Sequence, residues 1–583
     1  MSLGLRHGLF LAGVASLVAL FSGIGCSAQS TNTFTSSAGG AGGAGTTGTL
    51  SATGSGGSPF TGPSGTGGDP NLTVASAGGG SSTGEGGMVP GVDPTNCADA
   101  ATNHTYVGCD FWPTVVANNV WSIFDYAVIV ANAGSTPADV TVTRGGATVA
   151  TVTVQPNALQ KIFLPWVADL KGPDADNCGS AAPLSATVKS AGGAYHLVAS
   201  VPVTVYQFNA LEYQGQGGPP GKDWSSCPGN TECPGEGSIG CFSFSNDASL
   251  LLPSTAMTGN YRITGQAGWP AADIGPYMAI TGTKDGTTAT VYLSGNAHVF
   301  AGGGVPATNA GGTFTVSLNA GDVVEVVADS SSDLSGSLVK ATNPVQVITG
   351  LPCIQAPLGV AACDHIEESV FPAETLGKHY FVTAPTGPNG NVPGHIVRIY
   401  GNVDGTKLTY SNNKPAGAPA TINAGQVVDL GVVTKDFEVV GTNEFAIGSF
   451  MLGGDVQDPL DPVASKGDPS QSLCTSLEQY RLKYIFLAPN DYDVSYVDVI
   501  QPSGTKVMLD GVLAPAATSI TGTSYGVARV KLGAGNEGAH VLTADKPVGI
   551  QVMGYGSYTS YQYPGGLNLT TIAPPPPPPP PPN

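Results

Sequence analysis

The densest run of ionisable side chains lies between Cys363 and Pro385, CDHIEESVFPAETLGKHYFVTAP. Asp364, His365, Glu367, Glu368, Glu374 and His379, with His395 further on, combine carboxylates with imidazoles that titrate near neutrality, the pairing that acid–base catalysis uses. The same residue types hold divalent metals. Their spacing argues against both uses, because no H-E-x-x-H occurs and His365-Ile366-Glu367 lacks the Pro-Cys-x-x-Cys partner of the zinc deaminases. The spacing favours a turn whose polar groups satisfy backbone, with a catalytic or metal site as the alternative.

Three further groups of residues could carry chemistry. Asp455, Asp458, Asp461 and Asp468, in GGDVQDPLDPVASKGDPS, offer hard oxygen ligands of the kind calcium prefers, yet they do not follow the EF-hand order. Repeated Asp-Pro steps equally describe consecutive turns. Tyr555, Tyr558, Tyr561 and Tyr563, in GYGSYTSYQYPGG, would supply rigid amphipathic contact area for a glycan or protein partner if exposed, whereas strand alternation would turn half of them into a core. Cys227, Cys233 and Cys241 admit a zinc reading, but the C-x-x-C knuckles of a structural zinc site are missing. The folded region has no Walker-type loop, so the many Gly pairs read as linker and turn residues.

The elements that must position these groups are strands. Of 583 residues only 11% are charged, while 83 are Gly and 46 are Pro, a composition that weakens helices and suits short strands with tight turns. Four segments share one pattern, a short strand, a turn with Asn, Asp or Pro, and a second apolar strand: Leu197 to Asn209, Leu338 to Gly350, Glu438 to Gly454 and Val541 to Gly556. Upstream of each lies an alternating run broken by a Gly turn, as in ITGTKDGTTATVYL and IYGNVDGTKLTYS, which is a hairpin signal. The expected fold is all-β: related β-sandwich-like units in tandem, of about 60 to 100 residues each, behind a disordered Gly/Ser/Thr-rich linker.

Both ends read as attachments. Arg6 and His7 precede an apolar run, Leu9 to Phe21, which is short for a membrane span and reads as an export signal over residues 1–25. The small residues ahead of Cys26 resemble a bacterial lipoprotein signal with Cys26 as the lipidated residue; the alternative is an ordinary secretory signal with an incidental Cys. Residues 26–92 are expected to form a flexible tether of about 40 to 50 Å root-mean-square. The N-terminal β unit follows at 93–245, with a Cys-rich insert from about Gly215 to Gly240, and three related units fill 246–568. Residues 569–583 are a polyproline tail, whose nine prolines Pro574 to Pro582 would make a rod of about 28 Å.

Export makes disulfides the default for the cysteines after Cys26. Cys353 with Cys363 is the first expected bridge and Cys97 with Cys109 the second; Cys178, Cys227, Cys233 and Cys241 give two more in an open pattern, leaving Cys474 odd. A net charge of −20, with only 21 scattered Lys and Arg, excludes nucleic acid as a natural partner.

The run from Cys353 through Pro385 resembles the bacterial, myxobacterial-type branch of the family named for the N-terminal domain of IgG-Fc-binding protein. Tyr106 to Asn118, Asp125 to Gly134, Ser245 to Ser254, Tyr277 to Val291 and Glu478 to Tyr492 agree with it in order, so the resemblance covers roughly residues 97 to 568. It implies extracellular binding of protein or glycan and adds no catalytic residue and no Fc-contact residue. The expected function is therefore a non-enzymatic recognition or adhesion module without cofactor, calcium aside, on an outer-membrane lipid anchor at the cell surface. Two rivals are a structural envelope spacer and a secreted hydrolase; the hydrolase would need His365, Glu368 and His395 to meet in a cleft.

Overall fold

The computed structural model describes residues 93–132, 134–235, 237–459 and 465–579. The chain is all-β, 43% strand and 6% helix, and its sheets are assembled as several two-sheet units. In the second unit one sheet runs from Asp364–Ser369 through Val345–Ile354, Tyr277–Gly282 and Val323–Val327 to Val188–Ser190. Facing it is a sheet made of Thr313–Leu318, Thr287–Tyr292, Leu338–Ala341 and Asn260–Arg262. The third unit repeats this plan, with Gln471–Leu473, Phe445–Phe450, His395–Gly401 and Val427–Val433 in one sheet. Every strand pairing is antiparallel, as short hairpin connections require.

Turns break the second and third of the four repeated segments, at Thr342-Asn343 and Thr442-Asn443. The first and fourth are instead continuous strands, His196–Asn209 and Ala539–Gly556, each serving two sheets in succession. Pro202 and Pro547 stand where these strands leave one sheet for the other. A residue without an N–H fits there because no ladder bond is required.

One tyrosine marks the repeat in three units. The hydroxyls of Tyr261, Tyr380 and Tyr484 donate to the carbonyls of Val345, Phe445 and Val548, where the second strand of each repeated segment begins. Each hydroxyl also accepts the amide of the residue three positions before it: Thr258, Gly377 and Arg481. A buried phenol needs a partner for its O–H, and this arrangement ties each unit's first strand to the second strand of its repeated segment.

The four units meet at their edges. Ala248–Leu251, Asp364–Ser369, Gln471–Leu473 and Thr559–Pro564 each pair with the inner end of a long strand, in matching register: Phe208 faces Ala248, Gly350 faces Glu367, Phe450 faces Gln471 and Met553 faces Gln562. These four inner strands pack in a closed ring, first on second, second on third, third on fourth and fourth on first. The strand Ala248–Leu251 thus completes the sheet of the first unit. The first and fourth units also share one apolar core, with the Tyr206 and Tyr563 rings 4.6 Å apart and Phe208 edge-on to Tyr561 at 5.4 Å.

The insert is fastened by two bridges, Cys178–Cys233 and Cys227–Cys241. Cys97 is bonded to Cys109 and Cys353 to Cys363, while Cys474 is a buried free thiol whose pKa burial pushes up to about 12. The thiols of Cys227, Cys233 and Cys241 are thus consumed in disulfides, which removes the zinc reading. Cys26 and the export signal lie outside the described residues. Among the described residues no helix is long and apolar enough to cross a membrane.

Candidate functional site

Of the residues singled out from the sequence, Asp364, His365, Glu367, Glu368, Tyr561 and Tyr563 lie on the ring of inner strands, and one residue that the sequence left without a role sits at its centre. Asp247 precedes the first inner strand, and its carboxylate accepts one backbone amide from each of the four. Ala248 N donates to Oδ1 at 2.9 Å and Gln562 N at 3.3 Å; Glu367 N donates to Oδ2 at 3.0 Å and Gln471 N at 2.8 Å. Edge strands normally leave such amides open to water or to another chain. Here four edges are closed on one side chain. Burial pushes the Asp247 carboxyl well above its ordinary range, and the amides of Gln471, Glu367 and Ala248 pull it back.

Side chains carry the ring outward from this point. Glu367 accepts from Gln207 Nε2 at 3.2 Å, Ser249 Oγ at 3.0 Å and Asn209 Nδ2, joining the second unit to the first. Gln471 Nε2 donates to Thr349 Oγ1 at 3.2 Å, joining third to second, and Gln562 Nε2 to Ser449 Oγ at 3.2 Å, joining fourth to third. Thr559 Oγ1 closes the circle between Asp364 and Asn246. Burial, followed by the charge of Asp468 and then of Asp247, holds the Asp364 carboxyl well above the usual range; burial does the same to Glu368 and Asp468.

This arrangement corrects the acid–base reading of the central run. His365, Glu367, Glu368 and His395 are fully buried, and the strand from Asp364 to Ser369 is an interior element where the sequence led us to expect a turn. His365 Nε2 lies 3.4 Å from Glu367, while His395 Nδ1 pairs with Ser449 Oγ at 2.7 Å and its Nε2 has no partner among the described residues. Desolvation lowers the His395 pKa to about 3, which leaves a neutral ring. His379 stands apart, on Glu438 at 2.7 Å, and Glu374 is bonded to Thr258 and Asn260. The cleft that a hydrolase needs is therefore not formed by His365, Glu368 and His395, which are all closed to solvent in the interior.

The other two groups are placed as follows. Asp455 is exposed, whereas Asp458 is buried and accepts from Asn389 Nδ2 at 2.8 Å and from the Lys466 amide; Asp461 lies outside the described residues. Among the described residues no three His, Cys, Asp or Glu side chains are grouped to hold a metal ion. The four tyrosines are interior, which corrects the expectation of an exposed contact surface. Tyr561 and Tyr563 fill the core shared by the first and fourth units, Tyr555 donates to the carbonyl of Thr386 at 2.6 Å, and Tyr558 packs edge-on against Phe244.

Sequence reasoning missed Asp247, Gln207, Asn209 and Gln562. The available signal was a short polar run after each long strand, NDAS, DHIEES, SQS and TSYQ, recurring once per unit. It also missed the most exposed apolar surface. In the fourth unit the hairpin of Val507–Leu509 and Val512–Leu513 lifts Val512 and Leu513 into solvent, at 69% and 64% exposure. Beside it, Ser503 to Val507 and Leu513 to Ala517 line a groove of about 450 Å³ whose lining includes a single charged side chain, Lys506.

Comparison with known proteins supplies the frame for this geometry. The sequence profile of the IgGFc binding protein family matches residues 247–554, more than half of the chain and three of the four inner strands. The chain belongs to this family. The matched span opens on Asp247 itself. The human IgGFc-binding protein is 24% identical over 333 residues, which are 56% of this chain and 6% of that protein, so the chain covers a small part of that relative's length. Among solved structures, an anti-sigma factor domain-containing protein from Clostridium clariflavum aligns over 50% of this chain and 84% of its own, at 11% identity and a TM-score of 0.11. A second protein of the same description aligns over 54% and 91%, at 10% identity and a TM-score of 0.10.

Proposed function

We propose that this family member is a non-enzymatic extracellular recognition and adhesion module that binds a protein or glycan ligand. The observation that carries the reading is the family match, which spans the units whose ionisable residues are consumed in building the ring. An immunoglobulin Fc is the first ligand to test, since the family and the human relative are both named for it. The contact surface we assign is the apolar hairpin at Val512 and Leu513, which lies within the matched span. The four disulfides fit an oxidising, secreted or surface setting. In this proposal residues 1–25 direct export, Cys26 carries the lipid anchor at the outer membrane, and residues 26–92 hold the β units away from it. No cofactor enters the proposal.

The test has two parts. Protease shaving of intact cells, with a tag inside the β units and a Cys26→Ala variant alongside, should remove the tag from wild-type cells and release the variant from the membrane. Immobilised Fc and a glycan panel should then retain the purified β units, and Leu513→Asp should weaken that retention. A tag protected until the envelope is broken, or units that retain neither ligand class, would leave a structural spacer as the better reading.

A further inference from the structure

In the facing sheet of the second unit, Lys340 and Asn260 are direct cross-strand partners on the antiparallel strands Leu338–Ala341 and Asn260–Arg262. Lys340 Nζ lies 2.9 Å from Asn260 Oδ1, so the amine is next to the side-chain amide carbon. On the other side of that amide, Asn260 Nδ2 donates to Glu374 Oε1 at 2.6 Å. Glu374 is buried, at 6% exposure, and its second oxygen is fixed by Thr258 Oγ1 at 2.9 Å. The amides of Ile572 and Ala573 donate to the Glu374 carbonyl, and Lys340 Nζ also donates to the carbonyl of Pro576 at 2.8 Å. The start of the polyproline tail therefore covers the group and pins the lysine head against the amide.

An amine, a carboxamide and a buried carboxylate in this order are the components of an acyl transfer. We propose that Lys340 and Asn260 form an intramolecular isopeptide bond, with Glu374 relaying the proton. Lys340 Nζ, once deprotonated, adds to Asn260 Cγ. Glu374 takes a proton from the attacking nitrogen and returns it to Nδ2, to which it is already hydrogen-bonded. The Cγ–Nδ2 bond then breaks and ammonia leaves, carrying away as ammonium the proton that the lysine first held. Nothing is oxidised or reduced, and no co-reactant is needed. Proximity supplies much of the driving advantage, since the reacting atoms are held near contact by two strands and a covering segment.

The site is particular to the second unit. In the third, the positions equivalent to Lys340 and Asn260 are Val440 and His379, paired across the same two strands, and neither can make the bond.

Peptide mapping of the purified, reduced protein decides the matter. With the bond in place, trypsin cannot cut after Lys340, and residues 223–262 should be recovered branched onto residues 285–378, lighter than the sum of the two peptides by one ammonia. Lys340→Arg and Asn260→Ala should each abolish the branched species, and Glu374→Gln should abolish it or slow its appearance. Recovery of linear peptides from wild-type protein, with cleavage after Lys340 and Asn260 at full mass, overturns the proposal whatever the variants do. Undiminished branching in Glu374→Gln overturns the role given to Glu374.

Discussion

The strand from Asp364 to Ser369 and the hairpin around Val512 invert the usual rule. The first carries four ionisable side chains and is wholly buried; the second presents a valine and a leucine to solvent. Carboxylates serve inside by closing edges and joining units: Asp247 accepts an edge amide from each of the four inner strands, and Glu367 accepts from Gln207, Asn209 and Ser249 of the first unit. Apolar groups remain outside because the hairpin is paired along its backbone yet has nothing packed over its tip. Residue type therefore predicts location poorly wherever a sheet edge must be closed, and an exposed apolar tip is the more informative pointer to a partner.

The sharpest way to break this comparison is Asp247→Ala. It orphans four buried amides, each costing roughly 1–3 kcal/mol, so a loss of more than about 4 kcal/mol is expected in denaturant unfolding. A loss below about 1 kcal/mol would mean that the ring does not depend on this carboxylate. Next in size is a pH effect at Glu325, whose pKa burial raises to about 8 while Ala117 N donates to it. Its folded pKa lies above its unfolded one, so its contribution is complete below about pH 4.5 and is lost as pH rises to about 8. Unfolding midpoints measured from pH 4 to pH 9 should fall across that window in the wild type and fall less in Glu325→Gln; equal slopes would remove Glu325 as the cause.

Smaller still are the repeated tyrosines. Tyr261→Phe, Tyr380→Phe and Tyr484→Phe should each cost about 1 kcal/mol, and by similar amounts, because each hydroxyl makes the same two bonds. Costs differing several-fold would show that the repeat is equivalent in sequence but not in energetics. The smallest effect on stability belongs to Leu513→Asp, within about 0.5 kcal/mol, as expected for a side chain that is 64% exposed. A large loss there would mean that the hairpin tip is part of the fold and not a surface for binding.

Much of the fold was legible because strand alternation and Gly turns are local signals. ITGTKDGTTATVYL gives Tyr277–Gly282 and Thr287–Tyr292 across the turn at Lys284–Gly286, and the four repeated segments identify the long strands. The ring was not legible, since it depends on edges that meet from segments about a hundred residues apart. Asp247 lies in a run read only as part of a resemblance, and DHIEES has the composition of a solvated turn. The tyrosines of GYGSYTSYQYPGG illustrate the same limit. Their alternation fits a strand, but which face meets a core depends on the first unit packing against the fourth. The disulfide expected between Cys353 and Cys363 needed only short separation, whereas Cys178–Cys233 links positions 55 residues apart and could not be chosen from spacing.

The closure between the first and last units bears on how the molecule would respond to tension. Asp93, the first described residue, is held by Arg481 and Lys483 of the fourth unit, and the Tyr106 amide donates to the carbonyl of Leu567. A pull entering at residue 93 therefore reaches the last unit as directly as the first. Separating the units at that seam means breaking ion pairs and backbone bonds together, which favours resistance to shear over stepwise peeling from one end.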